Sequence, residues 1–110
     1  MLVAQNREGQ APLHVAVLAS HFHVVKILLE RGANVNQVMQ EGETPLHIAA
    51  VTGDLAIMRL LIAHDALIDA KNDEGRTALH KAALFGKALA VELLLDKYVD
   101  AVFMCSNACN

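Results

Sequence analysis

The stretch Gly42-Glu43-Thr44-Pro45-Leu46-His47-Ile48-Ala49-Ala50 decides the fold. It recurs upstream as Gly9-Gln10-Ala11-Pro12-Leu13-His14-Val15-Ala16-Val17 and downstream as Gly75-Arg76-Thr77-Ala78-Leu79-His80-Lys81-Ala82-Ala83. Both steps are 33 residues, and the same step relates Leu28-Leu29, Leu61-Ile62 and Leu94-Leu95. A fixed period of this size predicts stacked supersecondary units that bury their faces against one another, not a single closed core.

Outward from that stretch, each unit reads as two helices and a projecting loop. Thr44 stands where its hydroxyl caps a helix, and Pro45 falls at the first helical position, where a missing N–H costs nothing. Gly53 breaks the helix pair, and Leu55 to Ala63 follows as the second helix. In the first unit the spacing predicts helices from about Ala11 to Ala19 and from Phe22 to Arg31, with Gly32 at the left-handed cap. In the third, Thr77 keeps the cap, Gly86 separates the helices, and Ala88 to Lys97 is the second helix. The expected units are therefore 6–38, 39–71 and 72–101. Leu2 lies 33 before Val35, so residues 1–5 read as the remnant of a preceding unit. Residues 102–110 leave the period and read as an irregular tail.

The turn glycine, Thr-Pro-Leu-His, Ala-Ala, the inter-helix Gly, Leu-Leu, Gly-Ala and a closing Asn at this period resemble the ankyrin repeat, over roughly residues 6 to 101. The resemblance implies an all-α solenoid of antiparallel helix pairs with projecting β-turn loops. It further implies a non-catalytic module that binds proteins through its loop tips and the concave face of its first helices. It also implies that His14, His47 and His80 bridge neighbouring turns by hydrogen bonds. The sequence departs from the pattern at Ala11, a capping Thr in the other units, at Ser20 in place of the inter-helix Gly, and at Asp65 and Tyr98 in place of the Gly after the second helix. Such departures weaken helix ends by about 1 kcal/mol each. Polar terminal caps, which such stacks need for solubility, are also missing, so low stability and self-association through uncapped ends are expected.

Composition excludes several functions. The 110 residues carry a formal net charge of −3 with no basic run, which disfavours nucleic acid and anionic membrane surfaces. No apolar run approaches the roughly 20 residues of a membrane span, and Met1-Leu2-Val3-Ala4 lacks the makings of a secretory signal. Cys105 and Cys109 sit together near the end of the sequence, so no disulfide framework staples the body. An intracellular setting, cytoplasmic or nuclear, fits best.

The histidines do not read as a metal site, because one His per unit cannot supply the three or four converging ligands zinc requires. His21 and His23 are two apart and do not share a helical face. The cysteine pair has no second ligand pair and reads as free thiols. No phosphate loop or nucleophile motif appears, so no catalytic residue, cofactor or metal is expected.

The residues left to bind a partner are those the period does not dictate. At the loop tips they are Arg7, Glu8 and Gln10, then Gln40, Glu41 and Glu43, then Asp73, Glu74 and Arg76. On the first-helix face they are Leu18, Val51, Thr52, Leu84 and Phe85, apolar slots that the stack does not require to be apolar. Phe85 is the preferred anchor, as one of only four aromatics. The partner would be another intracellular protein, the chain acting as its adaptor, scaffold or inhibitor. The alternative is an excerpt of a larger enzyme, channel or regulator whose activity lies elsewhere. Asn36, with Leu28 eight residues before it and Val35 beside it, resembles the asparagines that an iron- and oxoglutarate-dependent hydroxylase modifies in ankyrin repeats. The simpler reading is that its side chain braces the turn by bonding local backbone groups.

Overall fold

The computed structural model describes residues 11–97. They form three helix pairs: α1 (Pro12–Leu18) with α2 (Phe22–Glu30), α3 (Pro45–Thr52) with α4 (Leu55–Ala63), and α5 (Ala78–Leu84) with α6 (88–97). No strand occurs among the described residues. The first helices stack in a row, α1 on α3 and α3 on α5, while α2 packs on α4 behind them. The sequence-derived remnant at 1–5, the tail at 102–110 and both cysteines lie outside the described residues.

The helix starts follow from their capping groups. Thr44 and Thr77 are extended, and their hydroxyls accept the backbone N–H of His47 and His80. Asp54 does the same for Ile57 at the start of α4. Ala11 has no side-chain acceptor, and α1 begins instead on Pro12.

The helix ends depend on left-handed residues. After α1, Ser20 N–H donates to the Val17 carbonyl and His21 N–H to the Ala16 carbonyl, each at 3.0 Å. The same pair of bonds closes α2 at Gly32, α4 at Asp65 and α5 at Gly86, so carbonyls left over at these helix ends are satisfied. Gly32 and Gly86 take φ of +92° and +69° without steric penalty, whereas Ser20 is held at +59° and Asp65 at +70°. The substitutions visible in the sequence are thus forced into the glycine conformation, and the fold absorbs their strain.

The core is continuous across the units. Leu13, Val17, Val25, Leu46, Ala49, Ile57, Met58, Leu61, Ala82 and Leu94 are almost fully buried in one cluster. Small alanines on the first helices let neighbouring pairs approach closely, which is why so apolar a chain needs few aromatics.

Two buried imidazoles, His14 and His47, tie helix starts to loops, whereas His80, expected to bridge likewise, bonds only Thr77 among the described residues. The Ala11 N–H donates to His14 Nδ1 at 2.9 Å, so Nδ1 must be the acceptor nitrogen. The proton therefore sits on Nε2, which donates to the Gln37 carbonyl at 2.6 Å. His47 repeats the arrangement: Thr44 N–H points at Nδ1 at 3.1 Å and Nε2 reaches the Arg76 carbonyl at 2.8 Å. Burial pushes the His14 imidazole below its ordinary pKa, against the opposing pull of the Gln37 carbonyl.

Two measurements check this account. Ser20→Gly and Asp65→Gly should each raise stability in urea by about 0.5–1 kcal/mol, relief of left-handed strain exceeding the entropy glycine adds to the unfolded chain. A loss at either site would show that the side chain contributes more than its backbone costs. His14 binds its proton more weakly when folded, so acidification favours the unfolded chain. Stability should fall as pH drops below about 6.5, the ordinary imidazole value. His14→Gln should flatten that part of the profile; an unchanged slope would remove His14 from the account.

Candidate functional site

The loops between helix pairs end in two tips built differently from related sequences. In the first, Met39 N–H donates to the Glu43 carbonyl at 2.9 Å, and Gln40–Gly42 makes a short 3-10 turn with Glu41 at φ +69°. In the second, Asn72 stands 33 after Met39, and its Oδ1 accepts the N–H groups of Glu74 at 2.9 Å and Arg76 at 3.0 Å. That bracket adds to a backbone bond from Asn72 N–H to the Arg76 carbonyl at 2.9 Å, the counterpart of Met39 to Glu43, and only Gly75 there takes positive φ. The tips are joined: Asp73 N–H donates to the Glu41 carbonyl at 2.9 Å. Gly42 is required at this junction, since a Cβ there would fall 2.5 Å from Asp73 Oδ1 and 3.0 Å from its backbone nitrogen.

Gln40, Glu41, Asp73 and Glu74 are exposed at these tips, and Arg76 is half-buried behind them. Arg7, Glu8 and Gln10 lie outside the described residues. Glu43 departs from its expected place on the rim. It is buried, with Oε1 3.0 Å from Lys81 Nζ and Oε2 accepting from Asn72 Nδ2 at 2.8 Å. The cause is its neighbour on α5: an ammonium on a long stem reaches back across the seam and draws the carboxylate inward.

Lys81 and Asn72 were not singled out by sequence reasoning. The signal was present in register: Lys81 occupies the slot of Val15 and Ile48, and Asn72 that of Met39. A lysine in an apolar slot implies a partner for its charge. Lys81 Nζ also lies 5.8 Å from the centroid of the Phe85 ring, one helical turn further along α5.

Leu18, Leu84 and Phe85 are exposed at the C-terminal ends of the first helices, while Val51 and Thr52 are half-buried between them. The Thr52 hydroxyl is occupied, donating to the Ala49 carbonyl at 3.0 Å. From the cap at Thr77 to Leu84 the helix rises roughly 10 Å. Glu43, Lys81 and Phe85 therefore link the loop base to the far end of α5 in one strip: acidic tips, a screened ion pair, then an open aromatic ring.

Asn36 does more than brace its own loop. Its Oδ1 accepts the Leu67 N–H at 2.9 Å, a bond to the following helix pair and not to local backbone as the simpler reading had it. The local bond belongs to Asn34, whose Oδ1 accepts the Asn36 N–H at 3.0 Å.

Among the described residues, no three His, Cys, Asp or Glu side chains converge to hold a metal ion, and no helix is long and apolar enough to cross a membrane. The surface hollow lined by Gly53, Gly86, Lys87 and Leu89 holds one ionisable side chain, Lys87.

Comparison with family models agrees with the geometry. A model described as ankyrin repeats (3 copies) matches residues 32–104, and one described as ankyrin repeats (many copies) matches residues 2–49. The first alone spans more than half of the sequence. With helix pairs, left-handed caps and bridging histidines repeating at one period, the chain belongs to the ankyrin-repeat family.

Proposed function

We propose that the chain binds another protein along the strip from the acidic tips to the end of α5. Ankyrin repeats are in general protein-interaction modules, typically without catalytic activity. The observation that supports this strip is its polarity. Glu41, Asp73 and Glu74 stand exposed on joined tips, whereas the charge of Glu43 is already met by Lys81. The open carboxylates favour basic side chains on the partner. Leu84 and Phe85 offer an apolar landing, and an aromatic held beside a lysine is the kind of anchor on which binding energy concentrates. Arg7, Glu8, Gln10 and Gln40 would extend the tip row, and Leu18, Val51 and Thr52 the helix-end row. Arg76 sits too far back to meet a partner except at its edge. An adaptor, scaffold or inhibitor role follows from such a surface.

Affinity capture followed by quantitative mass spectrometry tests the strip. Proteins retained by the wild type should be lost with Phe85→Ala and with Glu41→Arg/Glu74→Arg, and kept with Arg59→Ala, a change on exposed α4 away from the strip. For a purified partner, Phe85→Ala should weaken binding about tenfold or more. The charge-reversed tip should weaken it most at low salt. A partner bound equally by all four proteins would place the interface elsewhere.

Asn36 is proposed in addition as an acceptor of oxygen from an asparaginyl hydroxylase, although its Oδ1 holds the Leu67 N–H and the loop must open to present it. Mass spectrometry of the peptide between Arg31 and Lys71, after exposure to such an enzyme, should show one added oxygen on Asn36. None, beside a modified control repeat, would leave the residue a purely structural brace.

A further inference from the structure

Lys81 stands in a slot that Val15 and Ile48 fill in the other pairs. Its side chain is only 14% exposed, and its ammonium meets Glu43 Oε1 at 3.0 Å. The other carboxylate oxygen, Oε2, accepts from Asn72 Nδ2 at 2.8 Å. Asn72 Oδ1 in turn accepts the N–H groups of Glu74 and Arg76. Three side chains thus run in series from the middle of α5 to the backbone of the second tip. The first tip has Met39 in the slot of Asn72 and Ile48 in that of Lys81, so it has no such series.

Each member of the series can face only one way. A carboxylate accepts and does not donate, so Asn72 must turn its Nδ2 toward Glu43. Its Oδ1 is thereby aimed at the tip, where two N–H groups need an acceptor. Turned over, the amide would set Nδ2 against those two donors and Oδ1 against the carboxylate. The ammonium is what keeps Glu43 at the seam. Without it, a carboxylate on a side chain 9% exposed would hold a single amide donor and would turn out to water. Asn72 would then lose the partner that fixes its orientation.

We infer that Lys81 is a positioning residue of the binding strip, holding the second tip in shape through Glu43 and Asn72. The inference rests on the reading of this strip as the binding surface. The same ammonium lies 5.8 Å from the centroid of the Phe85 ring, so one charge holds the tip and flanks the aromatic anchor. A partner that drew Lys81 onto a carboxylate of its own would loosen the tip that carries Asp73 and Glu74. The strip therefore selects partners that leave this ammonium with Glu43. Their basic groups meet the tips, and no acidic group lies over Phe85.

Amide hydrogen exchange of the full chain, followed residue by residue by NMR, tests this without a partner. In Lys81→Met the Glu74 and Arg76 amides should exchange at least about tenfold faster. The Met58 amide in α4 and the His21 amide after α1 should keep their wild-type rates. Lys81→Arg keeps a cation for Glu43 and should leave all four near wild type. Lys81→Gln keeps a neutral donor and should speed the same two amides less; it decides the matter if Lys81→Met does not fold. In Lys81→Met/Glu43→Gln the new amide needs no cation and still offers Asn72 an oxygen, so the tip should be protected again. Unchanged Glu74 and Arg76 amides in the neutral variants, or an equal rise at all four, would overturn the proposal. So would Lys81→Arg as fast as Lys81→Met, or no recovery in the double variant. Capture by Phe85→Ala reads the binding strip separately, so failure of either reading shows on its own.

Discussion

The buried imidazole at the starts of α1 and α3 makes the interaction on which the stack depends. One ring performs two tasks that water cannot perform at a dry seam. Its Nδ1 takes the N–H of the residue that begins the helix, and its Nε2–H reaches the carbonyl of a loop in the next pair. Both tasks need the same tautomer, and the cap N–H enforces it. In His14 a protonated ring would present a second N–H to the Ala11 N–H, so its cap bond and its lowered pKa act together. Burial does the rest for His14, by disfavouring the charged form. The lateral spacing of the pairs then follows, because the bond is short and the ring rigid.

Given that spacing, the seams are filled by whatever side chain each register position supplies. Most supply a methyl or a branched aliphatic group. At the seam between the second and third pairs the molecule instead carries Glu43, Lys81 and Asn72, with every buried side-chain polar atom among the described residues satisfied. An ion pair at a seam contributes less net stability than well-packed hydrocarbon, since both charges lose water to form it. Its consequence is local geometry: Asn72 is held by Glu43 on one side while bracketing the second tip on the other. The first tip has Met39 in that slot, no side-chain acceptor for its turn, and a glutamate forced to positive φ. Two tips in the same register thus differ in their side-chain hydrogen bonds and in the residues that take positive φ.

What was legible in the sequence tracks how local each feature is. Helix starts at Thr44 and Thr77, the proline at the first turn, the glycine at Gly53 and the bridges from His14 and His47 depend on residues within one period and appear where the period puts them, while His80 makes only its cap contacts with Thr77. The strain at Ser20 and Asp65 was equally visible, because a left-handed slot keeps its conformation whichever residue fills it. Contacts across a seam were not legible in the same way. Glu43 looks like a tip residue until Lys81, 38 positions later, is seen to reach it. Asn36 looks like a local brace until its partner proves to be Leu67, 31 residues on. In each case the sequence held the residue types, but the pairing depends on how two units sit against each other.

A repeat stack also separates two kinds of surface that a closed globule merges. Side faces, such as the exposed tips at Glu41 and Glu74 and the ring of Phe85, are made by residues the period leaves free. End faces are made by the seam residues themselves. Their slots are not all bound to be apolar: Lys81 shares a register position with Val15 and Ile48, and the seam accepts it because Glu43 meets its charge. A side face selects its partner by the residues placed on it, whereas a seam is matched by the neighbouring unit of the same period.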